Sequence, residues 1–254
     1  MIYALGALGF CAVVALIIWL CSLLAKSCES HVYDNTPVTD SYSEDLRQKA
    51  EGGSPRAQYY MGKYFHEGKG VKADHKEAAK WFLKSAQQGW YESERNMGLY
   101  YYGGMGVEQD YDQAVKWWKK YNEDEGGREV EYLLGLCYLN GHGVAKDEAE
   151  AARLFQDSAD KGSDQGCYYI GKCYYEGRGV DRDFEQAFKW LRKSALKGNS
   201  HGQALLGECY ELGRGVEKDR DQAVYWYGKA ARYGNGKAIE ALTRMGEDFE
   251  LYEF

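Results

Sequence analysis

LGECYELGRGVEKDRDQAVYW, residues 206–226, carries the signals that place this chain in a fold class. Leu206, Cys209 and Tyr210 have the i, i+3, i+4 spacing of one helix face. The Gly213–Val216 turn follows, and then Asp219 with Gln222 three residues on, the pattern of a helix N-terminus. Ala223 and Trp226 resume helical spacing. The Gly-x-Gly-Val turn also stands at Gly68–Val71, Gly104–Val107, Gly141–Val144 and Gly177–Val180. Successive valines are 36, 37, 36 and 36 residues apart. A period of this size is that of a solenoid of helix pairs, so the expected fold is all-α.

Each unit reads the same way. The first helix centres on Gly62, Gly98, Gly135, Gly171 or Gly207. A helical glycine costs about 1 kcal/mol against alanine, so its recurrence predicts another helix crossing too closely for a side chain. Phe65, Tyr101, Tyr138, Tyr174 and Tyr210 are expected to fill space beside that crossing. After the turn, Asp74, Asp110, Asp147, Asp183 and Asp219 precede Glu77, Gln113, Glu150, Gln186 and Gln222, a capping box with Asp as cap. The second helix sets Ala78, Ala114, Ala151, Ala187 and Ala223 against Trp81, Trp117, Leu154, Trp190 and Trp226. Ser54 and Pro55 open the first full unit, and a shorter helix runs from Ser43 towards Ala50. The one extra residue falls near Asn122–Gly127, in a loop.

Ala195-x-x-Gly198, Leu206-Gly207, Tyr210, Gly213-x-Gly215-Val216, Asp219, Ala223 and Trp226 match, in order, the consensus of Sel1-like repeats, relatives of the tetratricopeptide repeat. The resemblance covers roughly residues 50–245. It implies five antiparallel helix pairs in a right-handed superhelix, acting as scaffold or adaptor. Such proteins are often membrane-associated or secreted in bacteria, or serve eukaryotic protein quality control. One bacterial branch links neighbouring helices by a disulfide. Here Cys167 matches one half of that pair and Ala159 stands at its mate, so this chain departs from the branch.

Outside the repeats the chain changes character. Ile2–Ala25 holds no charge, and at about 1.5 Å per residue it is long enough to cross a hydrocarbon layer. Residues 1–26 therefore read as a transmembrane anchor, 27–42 as a polar linker, 43–246 as the repeat array and 247–254 as an acidic, aromatic tail. A cleaved leader, giving a secreted binding module, is the alternative; it wants a positive residue before the apolar run and finds none. Lys26 leans the repeats towards the cytoplasm. Phe249, Leu251 and Phe254 either cap the array or dock elsewhere. A net charge of −7 argues against a nucleic-acid partner.

Chemistry is sparse. Ser158-Ala-Asp-Lys161 and Ser194-Ala-Leu-Lys197 spell Ser-x-x-Lys, a nucleophile signature of β-lactam-recognising enzymes. Both copies end a second helix, and no Lys-Thr-Gly or Ser-Asp-Asn accompanies them. A cell-envelope role in peptidoglycan or β-lactam recognition is therefore the runner-up. His31, His66, His75, His142 and His201 lack metal-ligand spacing. Cys137, Cys173 and Cys209 share one repeat position and read as small buried groups. No enzyme activity and no cofactor are expected.

Positions that vary between repeats point to binding. One face of the first helices carries Tyr59, Lys63, His66; Arg95, Leu99, Tyr102; Tyr132, Leu136, Leu139; and Tyr168, Lys172, Tyr175. The last repeat continues it with Ala204, Glu208 and Glu211. In related repeats first helices line the concave surface, so these residues are expected to grip a partner polypeptide of some acidic character. Tyrosine and arginine are frequent anchors of such contacts. The alternative is that several of the tyrosines pack between repeats.

Overall fold

The structure is a computed structural model, and it describes residues 42–124 and 128–247. Twelve helices and no strands occur among the described residues. They are α1 (Glu44–Glu51), α2 (Pro55–Glu67), α3 (His75–Gln87), α4 (Tyr91–Gly103), α5 (Tyr111–Asp124) and α6 (Arg128–Asn140). The rest are α7 (Glu148–Asp160), α8 (Asp164–Glu176), α9 (Phe184–Leu196), α10 (Ser200–Leu212), α11 (Arg220–Arg232) and α12 (Gly236–Met245). The predicted anchor, most of the linker and the tail beyond Glu247 lie outside the described residues. Among those described, no helix is long and apolar enough to cross a membrane.

The chain divides into two compact units. One reaches residue 97 and includes 105–107; the other holds 98–104 and everything from 108 onward. In the second unit each helix from α5 to α12 packs on the next. The first helices α6, α8, α10 and α12 also touch in succession, which sets them on the tighter side of the stack. In the first unit α2 packs on α1 and α3.

The central glycines do mark close crossings, but the filler differs from the expected one. A methyl group at Gly62 would sit 2.6 Å from the Phe82 ring, and at Gly207 2.9 Å from that of Tyr227. Trp118, Phe155 and Leu191 block Gly98, Gly135 and Gly171 in the same way. The large residue always stands 20 positions after the glycine, one past the tryptophan position. The tryptophans serve elsewhere. Lys84, Lys193 and Lys229 lay their ammonium groups 4.4, 3.8 and 5.4 Å from the rings of Trp81, Trp190 and Trp226.

Capping is half the predicted box. Asp74, Asp147 and their equivalents accept the amides of the first turn at 2.9–3.0 Å. The reciprocal half is not made. Each cap amide instead donates to the carbonyl of the preceding helix's aromatic, as Asp183 does to Tyr174 at 2.9 Å. Those aromatics therefore hold the turn through their backbone. Glu77 and Glu150, released from capping, pair with Lys80 and Arg153.

The turns explain the invariant glycines. Gly213 closes α10 in the left-handed conformation, at φ 71°. Gly215 also has positive φ, 72°, and a methyl there would collide with the carbonyl oxygen of Phe184, the first residue of α9. Gly179 meets Glu148, and Gly143 meets Tyr111, in the same manner. The turn of each of these three repeats thus rests, backbone on backbone, on the second helix of the repeat before.

Candidate protein-binding groove

Four of the predicted binding residues belong to the first unit. Tyr59 is half-buried, with ring centroids of Tyr60, Phe82 and Trp90 at 5.3, 6.0 and 6.4 Å. Burial raises its phenol pKa above the ordinary value. Lys63 lies 3.9 Å from Glu67 on its own helix, and exposed His66 faces His75 across 5.2 Å. Arg95 is half-buried.

In the second unit, five of the eight predicted residues serve as packing between repeats. Leu99 and Tyr102 lie against the cluster of Ala114, Trp118 and Leu134, with the Tyr102 ring 5.5 Å from Trp118. Tyr132, Leu136 and Leu139 pack against the cluster that holds Phe155 and Ile170. The other three, Tyr168, Lys172 and Tyr175, come together with α10 and α12 around a cleft of about 750 Å³.

Its floor is apolar, from Ala204, Ala241 and the faces of Tyr175 and Tyr227. Its rim carries His201, Lys237, Glu240 and the pair Lys172–Glu176, 3.7 Å apart. Two carboxylates face it from one helix turn of α10, and each is held by a tyrosine hydroxyl and a guanidinium. Tyr175 donates to Glu208, and Arg214 donates in turn to the Tyr175 hydroxyl oxygen, its guanidinium 4.9 Å from that ring. Tyr227 donates to Glu211 at 2.8 Å, and Arg244 donates to the same carboxylate at 2.9 Å. Burial first, and the accepting carboxylate second, push both phenols well above the tyrosine range. Burial pushes Tyr168 up to about 12.

The acids expected at this end are present, but they bring their own cations. The cleft is therefore zwitterionic, with an aromatic and aliphatic floor. Tyr175 is only 9% exposed and its hydroxyl is committed, so it shapes the wall. Tyr227, Arg214 and Arg244 were not foreseen. The varying middle residue of each Gly-x-Gly turn was the available signal for Arg214, because His142 and Arg178 at the same place also reach back one repeat. His142 stacks on Tyr111 at 4.3 Å, and Arg178 bonds Glu148 at 3.0 Å.

The Ser-x-x-Lys motifs are structural. Ser158 and Ser194 are fully buried, and the Ser194 hydroxyl donates to the Asp164 carbonyl at 2.8 Å. Ser85, at the same position in the first unit, donates likewise to Pro55. Lys161 pairs with buried Glu131. Cys137, Cys167, Cys173 and Cys209 are buried free thiols, and burial raises the pKa of each. The Cys167 sulfur points to the Ala159 carbonyl at 4.0 Å.

In the second unit, a stack of helix pairs with a lateral cleft and buried thiols and serines defines a helical-repeat protein. The family model of the Sel1 repeat matches residues 55–90, 92–120, 129–163, 164–199 and 200–235, and the chain belongs to that family. Among solved structures, it is similar to a protective antigen of uropathogenic Escherichia coli displaying an SLR fold. That match has 38% identity and a TM-score of 0.73, and it covers 80% of this chain but 43% of the antigen. A Sel1 repeat protein from Oxalobacter formigenes matches at 33% identity and a TM-score of 0.70, over 75% of each chain. No curated protein matches the chain. Proteins of the family generally mediate protein–protein interaction.

Proposed function

We propose that this protein is a membrane-tethered adaptor that binds a partner polypeptide in the cleft between α8, α10 and α12. The observation that supports this reading most is the cleft's construction. Its floor is apolar and aromatic, and the polar groups beneath are already satisfied by Tyr175–Glu208–Arg214 and Tyr227–Glu211–Arg244. A ligand laid there covers aromatic surface without stranding a charge. The paired charges favour a segment bearing both signs over the one of some acidic character read from Lys63, Arg95 and Lys172. The tether is the apolar run Ile2–Ala25, which confines recruitment to a surface.

A photo-crosslinking amino acid at Tyr168 or Leu212, both on the cleft, tests the site in the full chain. The expected result is a discrete heavier adduct from these positions and none from Glu217, an exposed residue beside the Gly213 turn. Equal adducts from all three positions, or none, would refute the cleft as the binding site. Resistance of the full chain to alkaline extraction from membranes tests the tether separately; release into the wash would refute it.

A further inference from the structure

The edge opposite the Gly-x-Gly turns, where second helices end and first helices begin, has a charge pattern of its own. Residues 187–199 and 223–239 contain no aspartate or glutamate, yet hold seven lysines and arginines in a chain of net charge −7. The matching stretch of the third repeat, 151–163, is balanced by Asp157 and Asp160 against Arg153 and Lys161. The two basic stretches lie side by side. Asn235, in the loop after α11, donates at 3.2 Å to the carbonyl of Ser200, the first residue of α10, directly after the first basic stretch. Asn199 reaches the repeat before it in the same way, bonding Asp164 at 3.0 Å.

The same edge carries the two most exposed large hydrophobic residues described, Leu196 at 66% and Tyr233 at 72%. Single exposed apolar residues are ordinary. Here both stand at the ends of adjacent second helices, flanked by exposed Lys193, Lys197 and Arg232. Complementing the helix dipole accounts for cations in a last helical turn. It does not account for Lys237, which sits in the first turn of α12 against the dipole, nor for Leu196.

We propose that this edge of the last two repeats lies against an anionic lipid surface, a membrane contact separate from the apolar N-terminal run and from the cleft. Lysine and arginine heads meet lipid phosphates while Leu196 and Tyr233 enter the interfacial layer. Five of the seven cations are lysines. Flexible point charges suit a diffuse anionic layer, whereas protein interfaces are enriched in arginine and depleted in lysine.

The full chain is reconstituted in vesicles of phosphatidylcholine, or of phosphatidylcholine mixed equally with phosphatidylglycerol, and its amines are acetylated and read by mass spectrometry. In the anionic vesicles Lys193, Lys197 and Lys237 should label about fivefold more slowly, the factor that corresponds to the attraction of one cation to such a surface. Lys218, exposed at the turn edge, should label equally in both. Replacing the exposed pair, Leu196→Ser with Tyr233→Ser, should weaken the protection and leave the helical circular dichroism unchanged. Equal labelling of the three lysines in both vesicles would overturn the proposal. So would equal protection by soluble polyglutamate beside neutral vesicles, which would assign the edge to an acidic protein.

Discussion

The Gly-x-Gly-Val turns and the C-terminal cleft join the same repeats with different materials. At the turns, backbone rests on backbone: Gly179 on Glu148 and Gly215 on Phe184. Whatever side chains surround them, these contacts demand glycine, so the sequence repeats. In the cleft, and from the middle residue of each of the last three turns, side chains meet side chains, and each repeat solves the contact differently. His142 stacks on Tyr111, Arg178 bonds Glu148, and Arg214 caps Tyr175. Steric demands on backbone leave one answer and are uniform; side-chain contacts leave many and can diverge towards a ligand.

Gly215→Ala tests the rigid half and should have the largest effect, a loss of about 4 kcal/mol or more in urea denaturation, because strain at positive φ adds to a collision with fixed backbone. Gly198→Ala sharpens the contrast. It has φ of 91° with nothing within 4 Å of the added methyl, so about 1 kcal/mol is expected from φ alone. Equal losses for the two would break the comparison.

Gly98→Ala comes next, at about 3 kcal/mol in the same assay, since its methyl meets the fully buried Trp118 ring, which has nowhere to move. Gly207→Ala should cost less, because its methyl meets the edge of Tyr227 at 2.9 Å. A larger loss at Gly207 than at Gly98 would mean that the depth of the overlap with the ring does not set the cost.

The cleft answers to pH where the turns do not. Tyr175 and Tyr227 have phenol pKa values raised in the folded chain, chiefly by burial and then by bonding to Glu208 and Glu211. The unfolded chain loses those protons first, near pH 10. The tyrosines' share of stability should therefore hold below about pH 10 and fall as pH rises beyond it, after an earlier decline from the buried thiols that begins near pH 8.5. Melting temperatures from neutral to alkaline pH should show this decline. Tyr175→Phe with Tyr227→Phe should make the decline shallower. Tyr100 and Tyr168, pushed up to about 12, keep it from vanishing. An unaltered slope would show that neither hydroxyl is held as described.

What could be read beforehand follows the same division. Period, helix order, cap aspartates and central glycines were legible because each is a local demand of backbone geometry. The occupant of the glycine gap differs from the expected Phe65, Tyr101, Tyr138, Tyr174 and Tyr210, because it comes from the next helix, 20 positions on, as Phe82 does at Gly62, and no spacing within one helix encodes that. The capping box was half right, because the cap amide finds a carbonyl across the turn before a side chain can reach it. The cleft was legible only as a face. Tyr175 pairs with Glu208 and Arg214, 33 and 39 residues away, and no spacing within one helix encodes that.

The smallest effect on stability should carry the largest functional meaning. Lys172 and Glu240 stand on the cleft rim, partly or fully exposed. The Lys172–Glu176 contact, at 3.7 Å between half-open side chains, contributes little to folding. Lys172→Ala with Glu240→Ala should therefore shift the urea midpoint by no more than about 0.5 kcal/mol equivalent. Crosslinking from Leu212 should nonetheless fall severalfold, because the rim charges orient a ligand of mixed sign over the apolar floor. If binding survives while stability is unchanged, recognition rests on Tyr168 and the floor alone, and the divergent charges of the cleft join repeats without selecting a partner.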